Sequence, residues 1–246
     1  MPQIETCYSP ALYHLRSNKA DTITAVIDVL RATTSFCTAF NYGVKAIIPV
    51  DSLENALKLK LENNLVAAES DGIKPDFADF GNSPFDFMDE NLEGKTIYYT
   101  TTNGTRAIQM ASENGTVAIA SFLNITSISN WLISQNKNII LLCAGWKNSY
   151  CIEDSLCAGA IANQIIRNSN FEIGDDSTLS AIDLWDTWSL NPADIVRKSS
   201  HFKRLKALGH ENILKYSVHY DRSKCVPILV DDQIIDISNS QLNKSV

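Results

Sequence analysis

The chain has 246 residues and a formal net charge of −7, with 45% hydrophobic and 20% charged residues. This length and composition are typical of a globular protein with a sizeable core, and the acidic balance argues against a broad nucleic-acid-binding surface, which needs a basic stripe. Since no run of about 18 apolar residues predicts a membrane span and the first residues lack the pattern of a secretory signal, we expect a cytoplasmic protein.

The six cysteines are spread along the chain without a Cys-x-x-Cys pair. In a cytosolic protein of this size we expect them to be reduced. A zinc cluster is not expected, because the chain has only four histidines and none has ligand spacing from a cysteine pair.

Short β-rich runs alternate with helix-like segments over the first two-thirds of the chain. In chain order the pattern predicts strands and helices at 22–27 (strand), 34–41 (helix), 46–50 (strand), 52–61 (helix, Ser52 as N-cap), 65–68 (strand), 96–100 (strand), 106–111 (helix), 117–120 (strand), 125–133 (helix), 139–143 (strand) and 152–167 (helix). This alternation predicts a three-layer α/β/α fold with a mainly parallel sheet, in which the apolar strand 139–143 is central.

The pattern changes near residue 170. Residues 171–180 are polar and predict turns, and helical patterns follow, of which 199–208 is the clearest. Residues 226–230 predict an edge strand because they contain a proline, and 241–246 predict a disordered tail. A single domain over residues 1–240 is the simplest interpretation, and a second lobe from about residue 170 is the alternative.

Charged residues follow the predicted strands. Asp28 and Arg31 come after the first strand, Glu69 after the third, and Glu153 and Asp154 after the last of the series. Ligands of an open parallel sheet bind beyond the carboxyl ends of its strands, and carboxylates there can hold Mg²⁺ against an anionic substrate. Two other interpretations stay open, because Asp28 could cap a helix and the acidic pair could favour a helix N-terminus through its dipole.

The loop at residues 101–106, Thr-Thr-Asn-Gly-Thr-Arg, lies between a strand and a helix. A glycine lets the backbone approach a ligand closely, and the free N–H groups of a helix N-terminus bind anions. We therefore expect the loop, including Thr105, to bind a small phosphorylated substrate. Asn-Gly is also a turn signal, so a simple turn is the alternative.

Other phosphate-binding motifs are absent from the sequence. It contains no P-loop and no Gly-x-Gly-x-x-Gly fingerprint. It also lacks a cysteine with arginine at the sixth following position and an Asp-x-Asp pair at residue 28.

Four ordered segments resemble the ComB-type 2-phosphosulfolactate phosphatases. They are residues 27–34 (IDVLRATT), 79–84 (DFGNSP), 101–107 (TTNGTRA), and 143–145 (CAG) with 153–159 (EDSLCAG). Weaker matches continue to residue 227, so the resemblance covers nearly the whole chain.

The resemblance implies a ComB-like α/β fold and a Mg²⁺-dependent phosphatase that hydrolyses 2-phosphosulfolactate to sulfolactate and phosphate, a step towards coenzyme M or sulfolactate. The metal-binding or catalytic carboxylates that it implies are Asp28, Glu69, Glu153 and Asp154. The catalytic or substrate-contacting residues that it implies are Arg31, Asn82, Ser83, Thr102, Asn103, Gly104 and Arg106.

Two positions depart from the family pattern. Ser70 stands where the family usually has an arginine, and the loop 146–150 lacks the arginine that usually precedes Glu-Asp. Lys147 is a candidate replacement for one of them. Because arginine binds oxyanions in a bidentate way, Arg31 and Arg106 must then contribute more of the anion recognition.

These departures leave two alternatives open for the function. One is a phosphatase for another 2-phospho-carboxylic acid, and the other is a non-catalytic binder of a phosphorylated metabolite. A homo-oligomer is compatible with the sequence, although no specific interface can be identified from it.

Overall fold

The computed structural model describes residues 1–16 and 21–238, so the predicted tail at 241–246 lies outside the described residues. The strands are β1 (Gln3–Cys7), β2 (Thr22–Ile27), β3 (Ala46–Pro49), β4 (Leu65–Ala68), β5 (Thr96–Thr100), β6 (Thr116–Ala120), β7 (Asn138–Cys143), β8 (Glu172–Ile173), β9 (Pro227–Val230) and β10 (Gln233–Asp236). The α-helices are α1 (Ala32–Asn41), α2 (Leu53–Leu61), α3 (Gly104–Ser112), α4 (Ile125–Gln135), α5 (Ile152–Asn168), α6 (Asp176–Trp188), α7 (Pro192–Val196), α8 (Ser200–Ala207) and α9 (Ile213–Ser217). Four 3-10 helices span Pro10–Leu15, Pro84–Phe87, Glu90–Leu92 and Phe122–Asn124.

These strands form one sheet in the order β4-β5-β3-β10-β9-β6-β2-β7-β1-β8. The pairs β4–β5, β5–β3, β6–β2, β2–β7, β7–β1 and β1–β8 are parallel. The hairpin of β9 and β10 lies between β3 and β6 and is antiparallel to both. The predicted mainly parallel sheet is confirmed, with a C-terminal hairpin that joins its two parallel parts.

Alternate residues of each interior strand are buried against helices on opposite faces of the sheet. On β7, Leu141 belongs to a core cluster that includes Leu132 of α4 and Leu156 of α5. Its neighbour Leu142 belongs to the opposite cluster, with Phe36 of α1. Burial on both faces explains why these strands are continuous apolar runs, and it confirms the three-layer arrangement.

Two predictions about strand position are wrong. β9 is not an edge strand, because it pairs with β10 on one side and β6 on the other. Pro227 is its first residue, a position at which a missing N–H is tolerated inside a sheet. β7 is an interior strand but not the central one, because seven strands of the sheet lie on one side of it and only β1 and β8 on the other.

The prediction of turns at 171–180 is also wrong in part. This segment contains β8 and the start of α6. Asp175 is the N-cap of α6 and accepts the N–H of Thr178 at 2.9 Å. The polar residues that predict turns are therefore a helix-capping sequence.

Residues after 170 pack into the same core as the sheet. Val196, Phe202 and Leu214 belong to the cluster that contains Leu141. In α5, Gly159 allows a close approach, because a Cβ atom there would overlap the carbonyl of Ala181 in α6. The single domain over 1–240 stays a prediction that this packing supports.

Within the described ranges, no helix has the length and apolar character needed to cross a bilayer. All six cysteines are buried and free.

Truncation of the core tests this packing. We expect Leu141→Ala to lower the free energy of unfolding by about 2–5 kcal/mol, because Leu141 is fully buried and its loss leaves a cavity. Leu61→Ala is the control, since Leu61 is 76% exposed, and its effect should stay within about 0.5 kcal/mol. Urea denaturation measures both values, and equal losses would contradict the described core.

Candidate active site

The 101–106 loop brings the N-terminus of α3 against Asp28. A Cβ atom at Gly104 would lie 2.6 Å from Cβ of Ala32 and 2.8 Å from Oδ2 of Asp28, so a larger residue would force these elements apart. Asp28 is buried, and its Oδ1 accepts the N–H of Ala32 at 3.3 Å. The structure therefore places Asp28 and Gly104 in one site.

Hydrogen bonds within the loop fix its shape. The N–H groups of Thr101 and Thr105 each donate to the hydroxyl of the other, at 3.1 and 3.2 Å. The hydroxyl of Thr105 also donates to the Thr101 carbonyl at 2.9 Å. Because these hydroxyls already have partners in the loop, Thr105 positions the loop through contacts inside it.

Glu69 connects three segments of the site. Its Oε1 accepts hydrogen bonds from the N–H of Gly72 and, at 3.1 Å, from the hydroxyl of Thr102. Its Oε2 accepts from the amide of Asn82 at 3.3 Å, and Asn82 in turn accepts from Tyr99 at 2.7 Å. The structure thus joins the ends of β4 and β5 and the 79–84 segment around one buried carboxylate.

Asp154 uses both carboxylate oxygens on the backbone. Oδ1 accepts the N–H of Val29 at 2.8 Å and Oδ2 accepts the N–H of Gly145 at 3.0 Å. These bonds fix the chain beyond β2 to the chain beyond β7. The geometry supports a positioning role for Asp154.

Glu153, the other half of the acidic pair, is fully buried beside His201. Its Oε1 lies 2.6 Å from Nδ1 of His201. Its Oε2 is buried and has no hydrogen-bond partner among the described residues. A buried oxygen without a partner is costly, so this atom is suited to a ligand that the protein binds.

The charges in this cluster act on one another. Burial raises the pKa of Asp28 to about 6; His201 opposes the shift, and the charges of Glu69 and Glu153 add to it. Burial also raises the pKa of Asp154, to which Asp28 and Glu153 contribute. A bound cation would relieve this repulsion, so the donor set fits a hard divalent ion.

Three predicted substrate contacts line one cavity of about 360 Å³, namely Arg31, Asn82 and Ser83. Arg31 is only 3% exposed and donates Nη2–H to the carbonyl of Gly72 at 3.1 Å. Ser83 is half-buried, and its hydroxyl accepts the N–H of Phe85 at 3.3 Å as a helix cap.

Arg106 lies at another opening. It is exposed and lines a cavity of about 280 Å³ together with Glu69, Ser70 and Thr102. This cavity therefore contains one of the two positions at which the family's arginine is missing.

The loop at 146–150 is the second position at which the family's arginine is missing. It contacts two neighbouring loops. The N–H of Lys147 donates to Oδ1 of Asn103 at 3.0 Å, and its ammonium lies 3.0 Å from Oδ1 of Asp71. Both charged groups are more than half exposed, so this ion pair contributes little to stability. Lys147 is thus paired with a carboxylate of the chain.

The structure adds residues from α8 that the sequence analysis does not assign to the site. His201 contacts Glu153, and Arg204 donates to the carbonyl of Asp71 at 3.0 Å. Residues three apart share a helix face, so this spacing is the signal that could have identified them as a pair. Ligand atoms of Cys151, Glu153 and His201 lie within 4.8 Å of one another and could hold a metal ion.

Comparisons with known proteins agree with the resemblance. Residues 7–232 match the family model described as 2-phosphosulpholactate phosphatase. A probable 2-phosphosulfolactate phosphatase of Gloeothece citriformis is 39% identical over 209 residues, which cover 82% of this chain and 87% of the relative. Proteins of the same name from Thermotoga maritima (39% identity, 85% of this chain and 90% of the relative) and Clostridium beijerinckii (31% identity, 89% and 94%) are also similar.

A single methyl group at Gly104 tests the contact between the loop and Asp28. We expect Gly104→Ala to lower the free energy of unfolding by about 1–3 kcal/mol and to reduce activity, because the new Cβ overlaps Ala32 and Asp28. The control Ser112→Ala changes the exposed end of the same helix. Thermal unfolding and phosphate release measure the two effects, and wild-type values for Gly104→Ala would refute the close approach.

Proposed function

This chain belongs to the 2-phosphosulfolactate phosphatase family, and from that premise we propose that it is a phosphoric monoester hydrolase that converts 2-phosphosulfolactate to sulfolactate and phosphate. The observation that carries the proposal is the buried carboxylate cluster of Asp28, Glu69 and Glu153 beside the Gly104 loop. His201 compensates this negative charge only in part, so the cluster suits a cation and a phosphate ester together. The free cysteines are in keeping with a cytoplasmic location.

We assign the divalent ion to Asp28 and Glu69, with Mg²⁺ as its identity. Oδ2 of Asp28 accepts no hydrogen bond from the described residues, and Glu69 affects the pKa of Asp28 more than Glu153 does. Oxygen ligands favour Mg²⁺, whereas the thiol and imidazole of Cys151 and His201 would favour a softer ion such as Zn²⁺. When bound, Mg²⁺ supplies charge neutralisation and polarises the phosphoryl group.

Glu153 is the proposed general base. His201 holds Oε1 at 2.6 Å, which leaves Oε2 to accept the proton of the attacking water. Asp154 fixes the surrounding backbone through Val29 and Gly145. We assign the phosphate oxygens to the side of the site that is formed by Thr102, whose hydroxyl contacts Glu69, and by the N-terminus of α3.

Phosphate release from 2-phosphosulfolactate tests the reaction and its metal. We expect activity that EDTA abolishes, that Mg²⁺ restores and that Zn²⁺ restores poorly, because the assigned ligands are carboxylate oxygens. Full activity in EDTA would contradict the metal assignment. Absence of phosphate release would contradict the proposed function. A preference for a non-sulfonated substrate would favour the alternative, a phosphatase for another 2-phospho-carboxylic acid.

Replacement of the proposed base gives a second test. We expect Glu153→Gln to reduce kcat by roughly 10²- to 10⁴-fold, because glutamine keeps the shape of the side chain and cannot accept the proton. Asp183→Asn is the control, since Asp183 is an exposed acid on α6. A Glu153→Gln enzyme with wild-type kcat would remove Glu153 from the role of base.

A further inference from the structure

Two arginine side chains lie side by side at one peptide segment. Arg31 donates Nη2–H to the carbonyl of Gly72 at 3.1 Å, and Arg204 donates Nη1–H to the carbonyl of Asp71 at 3.0 Å. Burial lowers the pKa of Arg204, and the nearby charge of Arg31 adds to the shift while Glu69 opposes it. Two cations are therefore held next to each other by consecutive backbone carbonyls.

Neither guanidinium forms an ion pair with a carboxylate in the part of the chain that the structure describes. Arg31 is almost completely buried, and Nε of Arg204 is buried with no hydrogen-bond partner among residues 1–16 and 21–238. A guanidinium has five N–H donors, and buried donors without acceptors are costly. Each of the two backbone hydrogen bonds uses one N–H of its guanidinium, so the pair has other donors that are suited to an anion from outside the protein.

The position of Arg204 is fixed by packing. Its guanidinium carbon lies 3.6 Å from the ring centroid of Trp146, and the ring of His201 stacks on the same tryptophan at 5.6 Å. A Cβ atom at Gly72 would lie 3.0 Å from Nη1 of Arg204, so glycine permits the close approach. Helix α8 therefore holds Arg204 in place beside the residue that contacts Glu153.

The arginine pair and the carboxylate cluster meet at the same glycine. The N–H of Gly72 donates to Glu69, whereas its carbonyl accepts from Arg31. A substrate whose phosphate lies at the carboxylate side would extend a second acidic group a few bonds away towards the guanidiniums. Their donors match the oxygens of a carboxylate or a sulfonate.

We propose that Arg31 and Arg204 bind the acidic group of the substrate that is not hydrolysed, its carboxylate or its sulfonate, and that Arg204 determines specificity for substrates with that group. This inference rests on the proposed function. It assigns a role to α8 in substrate selection and adds Arg204 to the residues that touch the substrate.

The test measures KM and kcat for Arg204→Ala and Arg204→Lys on four phosphate esters. These are 2-phosphosulfolactate, 2-phospholactate (carboxylate only), the phosphate ester of 2-hydroxypropanesulfonate (sulfonate only) and isopropyl phosphate (neither group). The control is Lys203→Ala, because Lys203 is an exposed cation on the same helix. Thermal unfolding of each variant shows whether its fold is kept.

We expect Arg204→Ala to raise KM roughly 10- to 100-fold for 2-phosphosulfolactate, with little change in kcat, and to leave isopropyl phosphate unaffected. Two of the esters carry one acidic group besides the phosphate, a carboxylate or a sulfonate. The one whose KM rises by the same factor identifies the group that the arginines bind. Arg204→Lys should recover part of the loss, since lysine keeps the charge and lacks the planar fork. Equal effects on all four esters, or no effect on any, would overturn the inference.

A binding measurement separates this inference from the proposed function. If the wild-type protein releases no phosphate from any ester, the proposed function fails, and calorimetric titration with sulfolactate then tests the arginine pair. An affinity for sulfolactate that falls at least tenfold in Arg204→Ala and stays unchanged in Lys203→Ala supports the inference. Equal affinity in the two variants, or no binding by the wild-type protein, overturns it.

Discussion

The carboxylates of Asp28, Glu69 and Glu153 are each less than a tenth exposed, and the charges of Glu69 and Glu153 add to the effect of burial in raising the pKa of Asp28. An ionised carboxylate taken out of water is costly unless positive charge or hydrogen-bond donors compensate it. Glu69 has donors on both oxygens, whereas Oε2 of Glu153 is buried and finds no partner in the described part of the chain. A cation or a hydrogen-bond donor supplied by a ligand would lower this cost, and the cation and phosphate ester that we propose meet that requirement.

The surrounding structure holds these charges in place through backbone contacts. Asp154 bridges the segments beyond β2 and β7, and Gly104 lets α3 come close to Asp28. Gly145 has a φ of +63°, and a Cβ atom there would overlap the carbonyl of Ser149, so the loop beyond β7 needs glycine at its start. Catalysis is sensitive to small displacements of the charged side chains in a site. Gly104 and Gly145 therefore matter for function as well as for folding.

The sequence predicts those parts of the fold and site that depend on local patterns. Asp28 and Glu69 follow strands whose apolar runs are long enough to identify, and the Gly104 loop has a clear turn composition. β8 could not be predicted, because its two residues are a strand only through pairing with β1. The spacing of His201 and Arg204 places them on one helix face, but their position at the site depends on packing against Trp146, which no local pattern encodes.

Anomalous diffraction from crystals soaked with Mn²⁺, a substitute for Mg²⁺ with the same preference for oxygen ligands, tests the central claim most directly. That claim is that the buried carboxylate cluster is a cation site. The account predicts an anomalous peak at the oxygens of Asp28 and Glu69, which should disappear in Asp28→Asn crystals. A peak confined to Cys151 and His201, or no peak at saturating Mn²⁺, would contradict it.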